Sequence, residues 1–166
     1  MVTRWPPWEV TSLLHNLDVL FELVENPPAQ VLASDAYPWL CRLLVVRSCG
    51  YLEQVVMEVC RAYVRERSGG PVRTFAHSWL DRAGNPTPER LGELVGRFDS
   101  TMQEDLLAFL ADQDERLARA VYFMVDRRNR IAHGLNEGVS RAKALELKLV
   151  ACEVADWFVL RFNPGR

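Results

Sequence analysis

Apolar residues return every three or four positions along almost the whole of this chain, and runs that alternate every second residue are nearly absent. That spacing lays side chains along one stripe of an α-helix and does not suit a half-buried strand. An all-α fold is expected: a single-domain helical bundle with two long antiparallel helices plus shorter ones. Proline and glycine punctuate it. A first helix is predicted over Val10–Glu25, with Leu13, Leu17, Leu20 and Val24 on one face and Asn26-Pro27-Pro28 as its stop. A long second helix is predicted over Tyr37–Arg67, with Leu40, Leu44, Leu52, Val55, Val56, Val59 and Tyr63 inward and Gly69-Gly70-Pro71 ending it. Within it, Ser48-Cys49-Gly50 is a run of small residues. Glycine costs about 1 kcal/mol against alanine in a helix, so the close approach of another helix is expected at Gly50.

Val72–Arg82 reads as a short helix or irregular segment, and Gly84-Asn85-Pro86 as a turn. Thr87, Pro88 and Glu89 have the chemistry of an N-cap, a first helical residue and an acid facing the positive end of the dipole. That helix carries Leu91, Leu94, Val95 and Phe98. Asp99 or Ser100 caps the next, with Leu106, Leu107 and Leu110. Another spans about Asp114–His133, with Leu117, Val121, Met124 and Val125 inward, before Gly134, Asn136 and Gly138 break the pattern. Ser140 opens the last helix, through Leu145, Leu149, Cys152, Val154, Trp157 and Leu160. Trp39, Tyr63, Phe98, Tyr122 and Trp157 fit core spacing better than base stacking. His15, between Leu14 and Leu17, reads as packed or capping, and His77 has no assigned role.

The 166 residues fit one domain, 1–166, with 1–9 a Trp/Pro-rich N-terminal extension. No apolar run approaches the roughly 18 residues of a membrane span, and Met1–Trp8 lacks the apolar core of a signal peptide. A cytoplasmic protein with no membrane partner is expected. Cys41, Cys49, Cys60 and Cys152 form no CxxC pair, so neither a metal site nor a redox motif is indicated. Cys49 and Cys60 are eleven residues apart and share a helix face, as reduced core residues would. No cofactor is expected: the chain has no Walker loop, GxSxG or HExxH.

The net charge of −2 excludes a polycationic nucleic-acid binder. Between Asp126 and Lys148, however, Arg127, Arg128, Arg130, Arg141, Lys143 and Lys148 outnumber Asp126, Glu137 and Glu146. That local excess suits a phosphate-bearing substrate, or forms a solvated helix face. It surrounds Arg127-Arg128-Asn129-Arg130-Ile131-Ala132-His133-Gly134, where guanidinium, carboxamide and imidazole groups crowd the end of a helical pattern. Arginine neutralises phosphate oxygens through a planar fork, and histidine exchanges protons near neutral pH. These are the groups a metal-independent ribonuclease needs. Taken singly, Arg and His are also favoured by the dipole at a helix C-terminus, and His-Gly is a common cap.

Arg128-Asn129-Arg130-Ile131-Ala132-His133-Gly134, taken with Ser48-Cys49-Gly50-Tyr51-Leu52-Glu53 in the long earlier helix, resembles the HEPN superfamily of small helical ribonucleases. The Ser48–Glu53 piece, with Asn85-Pro86 and the leucine-rich helix after it, resembles the RiboL-PSP-HEPN branch. The similarity runs from about residue 36 to residue 160, with every signature position filled. The resemblance implies a HEPN-like bundle and a homodimer whose signature helices meet in one composite active site. It implies a metal-independent endoribonuclease: the ribose 2′-OH attacks the adjacent phosphate and leaves a 2′,3′-cyclic phosphate, which excludes DNA. His133 would be general base or acid, and Arg128 would hold the non-bridging oxygens. Asn129 would orient His133 or bond the phosphate or 2′-OH, and Arg127 and Arg130 would bind the RNA backbone. Family members of this size often act as toxins of toxin–antitoxin or anti-phage defence systems, so an antitoxin partner is implied. The alternatives are a catalytically silent HEPN module for RNA binding or dimeric assembly, and a helical protein-interaction scaffold.

Glu53, an acid in an apolar helix, reads either as the group that holds Arg128 or as a surface acid. Asn129 and His133 share a helix face. Arg128 and His133 are five residues apart and point about 140° apart on a regular helix. Either the helix unwinds before His133, or Arg and His from different protomers converge.

Overall fold

Helix α3 (Tyr37–Arg67) buries one broad apolar face, and four other helices pack on it. In chain order the helices are α1 (Trp8–Glu25), α2 (Ala29–Leu32), α3, α4 (Gly70–Leu80), α5 (Pro88–Gly96), α6 (Ser100–Ala132) and α7 (Arg141–Arg161). The computed structural model describes residues 5–80, 84–135 and 138–165, and no strand occurs among them. Residues 1–4 of the N-terminal extension, Arg82 at the end of the expected Val72–Arg82 segment, and the pattern-breaking Asn136 lie outside the described residues. The architecture is a single all-α bundle: α3 packs most extensively on α7 and α1, then on α6 and α4, while α5 lies along α6.

The local chemistry sets the boundaries. Thr87 accepts from the Arg90 amide, Asp99 from Met102 and Ser140 from Lys143, so three helices begin on side-chain caps. Gly70, at φ +53, supplies the left-handed step between α3 and α4, a conformation that costs other residues a Cβ clash. α2 carries no apolar periodicity, and four residues are too few to reveal one. α6 is two helical pieces. Asp112 leaves helical geometry, and Gln113, Asp114 and Glu115 follow at φ +51, +57 and +60. The sequence pattern of two successive helices therefore survives as a left-handed break inside one element.

The core runs through Leu44, Leu52, Val55 and Val59 of α3 to Leu147, Val154 and Phe158 of α7. At one end Tyr63, Phe98, Phe158 and Phe162 stack edge and face, with ring centroids 5.1–5.9 Å apart. Ser48 and Cys49 point inward and are fully buried, with Ser48 Oγ satisfied by Leu44 O at 2.7 Å. Gly50 points the other way. Among the described residues a Cβ built there meets nothing within 4 Å, so no described helix packs directly on it, contrary to the expectation from the small-residue run. Trp39 and Tyr122 are exposed rather than core residues, and His15 is exposed in the middle of α1, neither packed nor capping. On α7 the buried apolar positions are Ala144, Leu147, Val150, Ala151, Val154, Ala155 and Phe158; Leu149 and Leu160 face outward.

Lys148 of α7 is 8 % exposed. Its ammonium lies 2.6 Å from Asp18 Oδ1 and 4.6 Å from the centroid of the Phe21 ring, both on α1. Burial works against that charge, but Asp18 and the Cys152 thiol outweigh it and hold the lysine above its ordinary pKa of 10.5. A raised lysine pKa means that the pair's contribution is present below the ordinary value and is lost as the pH climbs through the folded one. Removing one partner strands the other. Asp18→Ala is expected to cost about 2 kcal/mol, less than the roughly 3–5 kcal/mol of a fully buried pair because Asp18 is half in water. Lys148→Met, which keeps the packing, is expected to stay within about 1 kcal/mol. Urea denaturation midpoints check both; equal losses would mean that the ion pair itself stabilises the fold, and that a stranded lysine charge is not what sets the cost.

Candidate active site

The signature segment forms the last turns of α6, and its central guanidinium is tied to two other elements. Arg128 Nη2 donates to Glu53 Oε2 at 3.1 Å and to Asn85 Oδ1 at 2.6 Å, while Nη1 donates to Asn129 Oδ1 at 3.2 Å. The two side chains of the ion pair stay partly open to water, at 25 % exposure for Arg128 and 34 % for Glu53. Each partner is positioned by its own surroundings. Glu53 follows buried Cys49 by one turn of α3, so both face α6. Asn85 sits in the turn ahead of α5, where its carbonyl accepts from the Thr87 amide at 2.8 Å and the flanking Pro86 and Pro88 are buried. Burial pushes the Cys49 thiol up in pKa, and the adjacent Arg128 guanidinium opposes it through a hydrogen bond and its charge.

Arginine has five N–H groups. Among the described residues three of those on Arg128 go to the oxygens just named, and the Cys49 thiol can take one more, which leaves at least one donor for an incoming oxyanion. The group is therefore fixed in direction before any ligand arrives, which is the condition for electrostatic stabilisation without reorganisation.

His133 is exposed at the C-terminal cap of α6. Its amide still donates to Asn129 O at 3.0 Å, so the helix does not unwind before it. Gly134 then turns left-handed at φ +76, with Gly134 N bonding Ile131 O and Leu135 N bonding Arg130 O, each at 3.0 Å. This is a Schellman closure, and it explains why glycine follows the histidine. On so regular a helix Arg128 and His133 leave the axis about 140° apart. Asn129, expected to orient His133 or to bond substrate, has its oxygen engaged with Arg128. Arg127 lies with its guanidinium carbon 4.9 Å from the Phe123 ring centroid, and Lys143 Nζ lies 5.1 Å from the same ring. Arg130 reaches Asp126 at 3.9 Å. The structure thus gathers Arg128, Asn129 and Glu53, and leaves Arg127, Arg130 and His133 on other sides of the same helix end.

Two hollows open beside Glu53. One, of about 350 Å³, lies between α1 and α3, bounded by Leu13, Leu17, Gly50 and Arg128. The other is a notch of about 80 Å³ toward α5, bounded by Asn85, Arg90 and Arg97. Sequence reasoning found Glu53 but gave Asn85 and Cys49 no role at the site. The signal for Cys49 was its place one turn before Glu53. For Asn85 there was only the Asn-Pro turn, 43 residues from Arg128.

Among the described residues, no group of three or more His, Cys, Asp or Glu side chains could hold a metal ion, and no helix is long and apolar enough to cross a membrane. No family model, curated protein or solved structure matches the chain.

Proposed function

We propose that this chain is a metal-independent endoribonuclease of the HEPN kind, which cleaves RNA by attack of a ribose 2′-OH on the adjacent phosphate. The observation that carries the reading is Arg128, pinned between Glu53 and Asn85 with a donor to spare, on the helix whose last turn exposes His133. In the reaction a bond forms between the 2′ oxygen and phosphorus, and the bond from phosphorus to the 5′ oxygen breaks. His133 takes the 2′ proton, and water protonates the departing 5′ oxygen. Arg128 neutralises the charge that builds on the non-bridging oxygens. Arg127 and Arg130 bind flanking phosphates, in keeping with the basic excess at this end of α6.

The regular helix through His133 favours a site shared between two copies of the chain. Arg128 and His133 leave one helix in different directions, whereas two helix ends related by a twofold axis can bring an arginine from one to a histidine from the other. A toxin or anti-phage role in the cytoplasm, restrained by an antitoxin, belongs to the same reading.

A second reading, a silent module that binds RNA or assembles without cleaving, is favoured by one observation: Glu53 already neutralises part of the charge on Arg128. End-labelled single-stranded RNA incubated with the wild-type protein in EDTA separates the two. The nuclease reading predicts fragments ending in 2′,3′-cyclic phosphate and 5′-OH, and no cut where a single 2′-deoxy nucleotide replaces the attacking ribose. RNA retained intact by folded, dimeric protein would overturn it in favour of the silent module.

A further inference from the structure

Arg128 walls the hollow between α1 and α3, and not the notch toward α5. At about 350 Å³ the hollow is within the range of small-ligand sites. It sets two guanidiniums, Arg47 and Arg128, against one carboxylate, Glu53, and that carboxylate is already engaged with Arg128. Arg47 is exposed, and among the described residues its side chain makes no ion pair, hydrogen bond or ring contact. The facing stretch of α1, from Thr11 to Leu17, carries no carboxylate and supplies Leu13 and Leu17 as an apolar wall.

Gly50 keeps the middle of this hollow open. Arg47 and Glu53 are about 9 Å apart along the axis of α3, and Gly50 lies midway between them. Glycine is a poor helix former, and neither of its usual justifications applies here. The backbone of Gly50 is helical, and among the described residues a Cβ built on it meets nothing within 4 Å. What the missing side chain does is leave space between the unpaired guanidinium and the one that carries a spare donor.

We infer that the α1–α3 hollow holds the nucleotide next to the scissile bond, with Arg47 on the neighbouring phosphate of the same RNA strand and Gly50 leaving room for the nucleoside between. The inference rests on the nuclease reading and deepens it, by assigning Arg47 and Gly50 to substrate binding at the site of Arg128. Charge decides the occupant. An apolar protein segment would fill the space, but it would take the Arg47 guanidinium out of water with nothing to pair it, which is costly. A phosphate pairs it through two parallel N–H bonds, and the strand that carries that phosphate places its next one at Arg128.

The test uses fluorescence anisotropy of a short labelled single-stranded RNA, in a His133→Ala background so that RNA stays whole. Adding Arg47→Ala is expected to weaken binding about tenfold and to make the slope of log Kd against log salt shallower by about 0.7, the share of one phosphate. Arg65→Ala is the control for charge alone. Arg65 is exposed on the same helix, five full turns and about 27 Å further on, and its loss should change binding little. Gly50→Leu keeps every charge but fills the hollow. It is expected to weaken binding about tenfold while its urea midpoint holds or rises, because leucine is the better helix former. If the parent binds RNA and neither Arg47→Ala nor Gly50→Leu weakens it more than Arg65→Ala does, the subsite is wrong and the nuclease reading stands. If Gly50→Leu instead turns a dimer into a monomer with RNA binding intact, the hollow is a contact between copies and the subsite is again overturned. If the parent binds no RNA at low salt, both readings fall together.

Discussion

Replacing Arg128 by alanine is expected to slow RNA cleavage about 10²–10³-fold, the loss seen when one donor to a developing oxyanion is removed. Replacing His133 by alanine is expected to cost about 10²–10⁴-fold through loss of proton transfer. Neither change should unfold the chain. Arg128 is a quarter exposed, its ion pair with Glu53 is partly solvated, and His133 is at the surface; exposed pairs are worth about 0–1 kcal/mol. Melting curves within a few degrees of wild type would show this. The two variants also report on each other. If the working site takes its arginine from one protomer and its histidine from the other, mixing the two inactive proteins and allowing subunits to exchange rebuilds one complete pair in each heterodimer, and cleavage returns. No recovery from a mixture shown to contain heterodimers would place both groups of the site in a single chain. Unimpaired cleavage by either single variant would remove that residue from the mechanism.

The largest loss of stability is expected from Phe158→Ala, about 3–5 kcal/mol. Phe158 is fully buried, with ring centroids 5.2 Å from Trp157 and 5.8 Å from Phe162, and through Phe162 it joins the end of α7 to Tyr63 and Phe98. The surrounding rings are large and mutually braced, so the space left by a deleted ring does not collapse cheaply. Leu149→Ala on the same helix is expected to fall within about 0.5 kcal/mol of wild type, because Leu149 is 56 % exposed. Chemical denaturation of the two variants side by side measures which face of α7 is inside. A comparable loss at both positions would overturn the orientation of the helix.

That contrast also marks where the sequence is legible and where it is not. Capping is local chemistry, so Thr87, Asp99 and Ser140 announce their helices within a span of four residues. The end of α3 is legible from Gly69-Gly70-Pro71, although no side chain caps its start. α7 is apolar on most of its circumference, so periodicity does not choose between the Leu145–Leu149 stripe and the true one through Ala144, Leu147 and Ala151. Smallness at Ser48-Cys49-Gly50 is visible in the sequence, but the direction in which Gly50 points depends on the rotation of α3 among its neighbours. At the site, Glu53 is legible because a carboxylate in an apolar helix needs a partner, and Arg128 supplies it. Asn85 is not, because an amide in a turn satisfies itself in many ways and only tertiary packing brings it to the guanidinium.

The left-handed break at Asp112–Glu115 is exposed along its whole length. In an unbroken helix each inserted residue would rotate everything beyond it by about 100° and advance it 1.5 Å, and Arg128 would swing away from Glu53 and Asn85. The break works as an expansion joint. Residues gained or lost there are absorbed in the turn before they reach the Arg128 end of the helix. One point in this chain is thus free to drift in length over evolutionary time, or to accept a spliced module, while the geometry around Arg128 stays as it is.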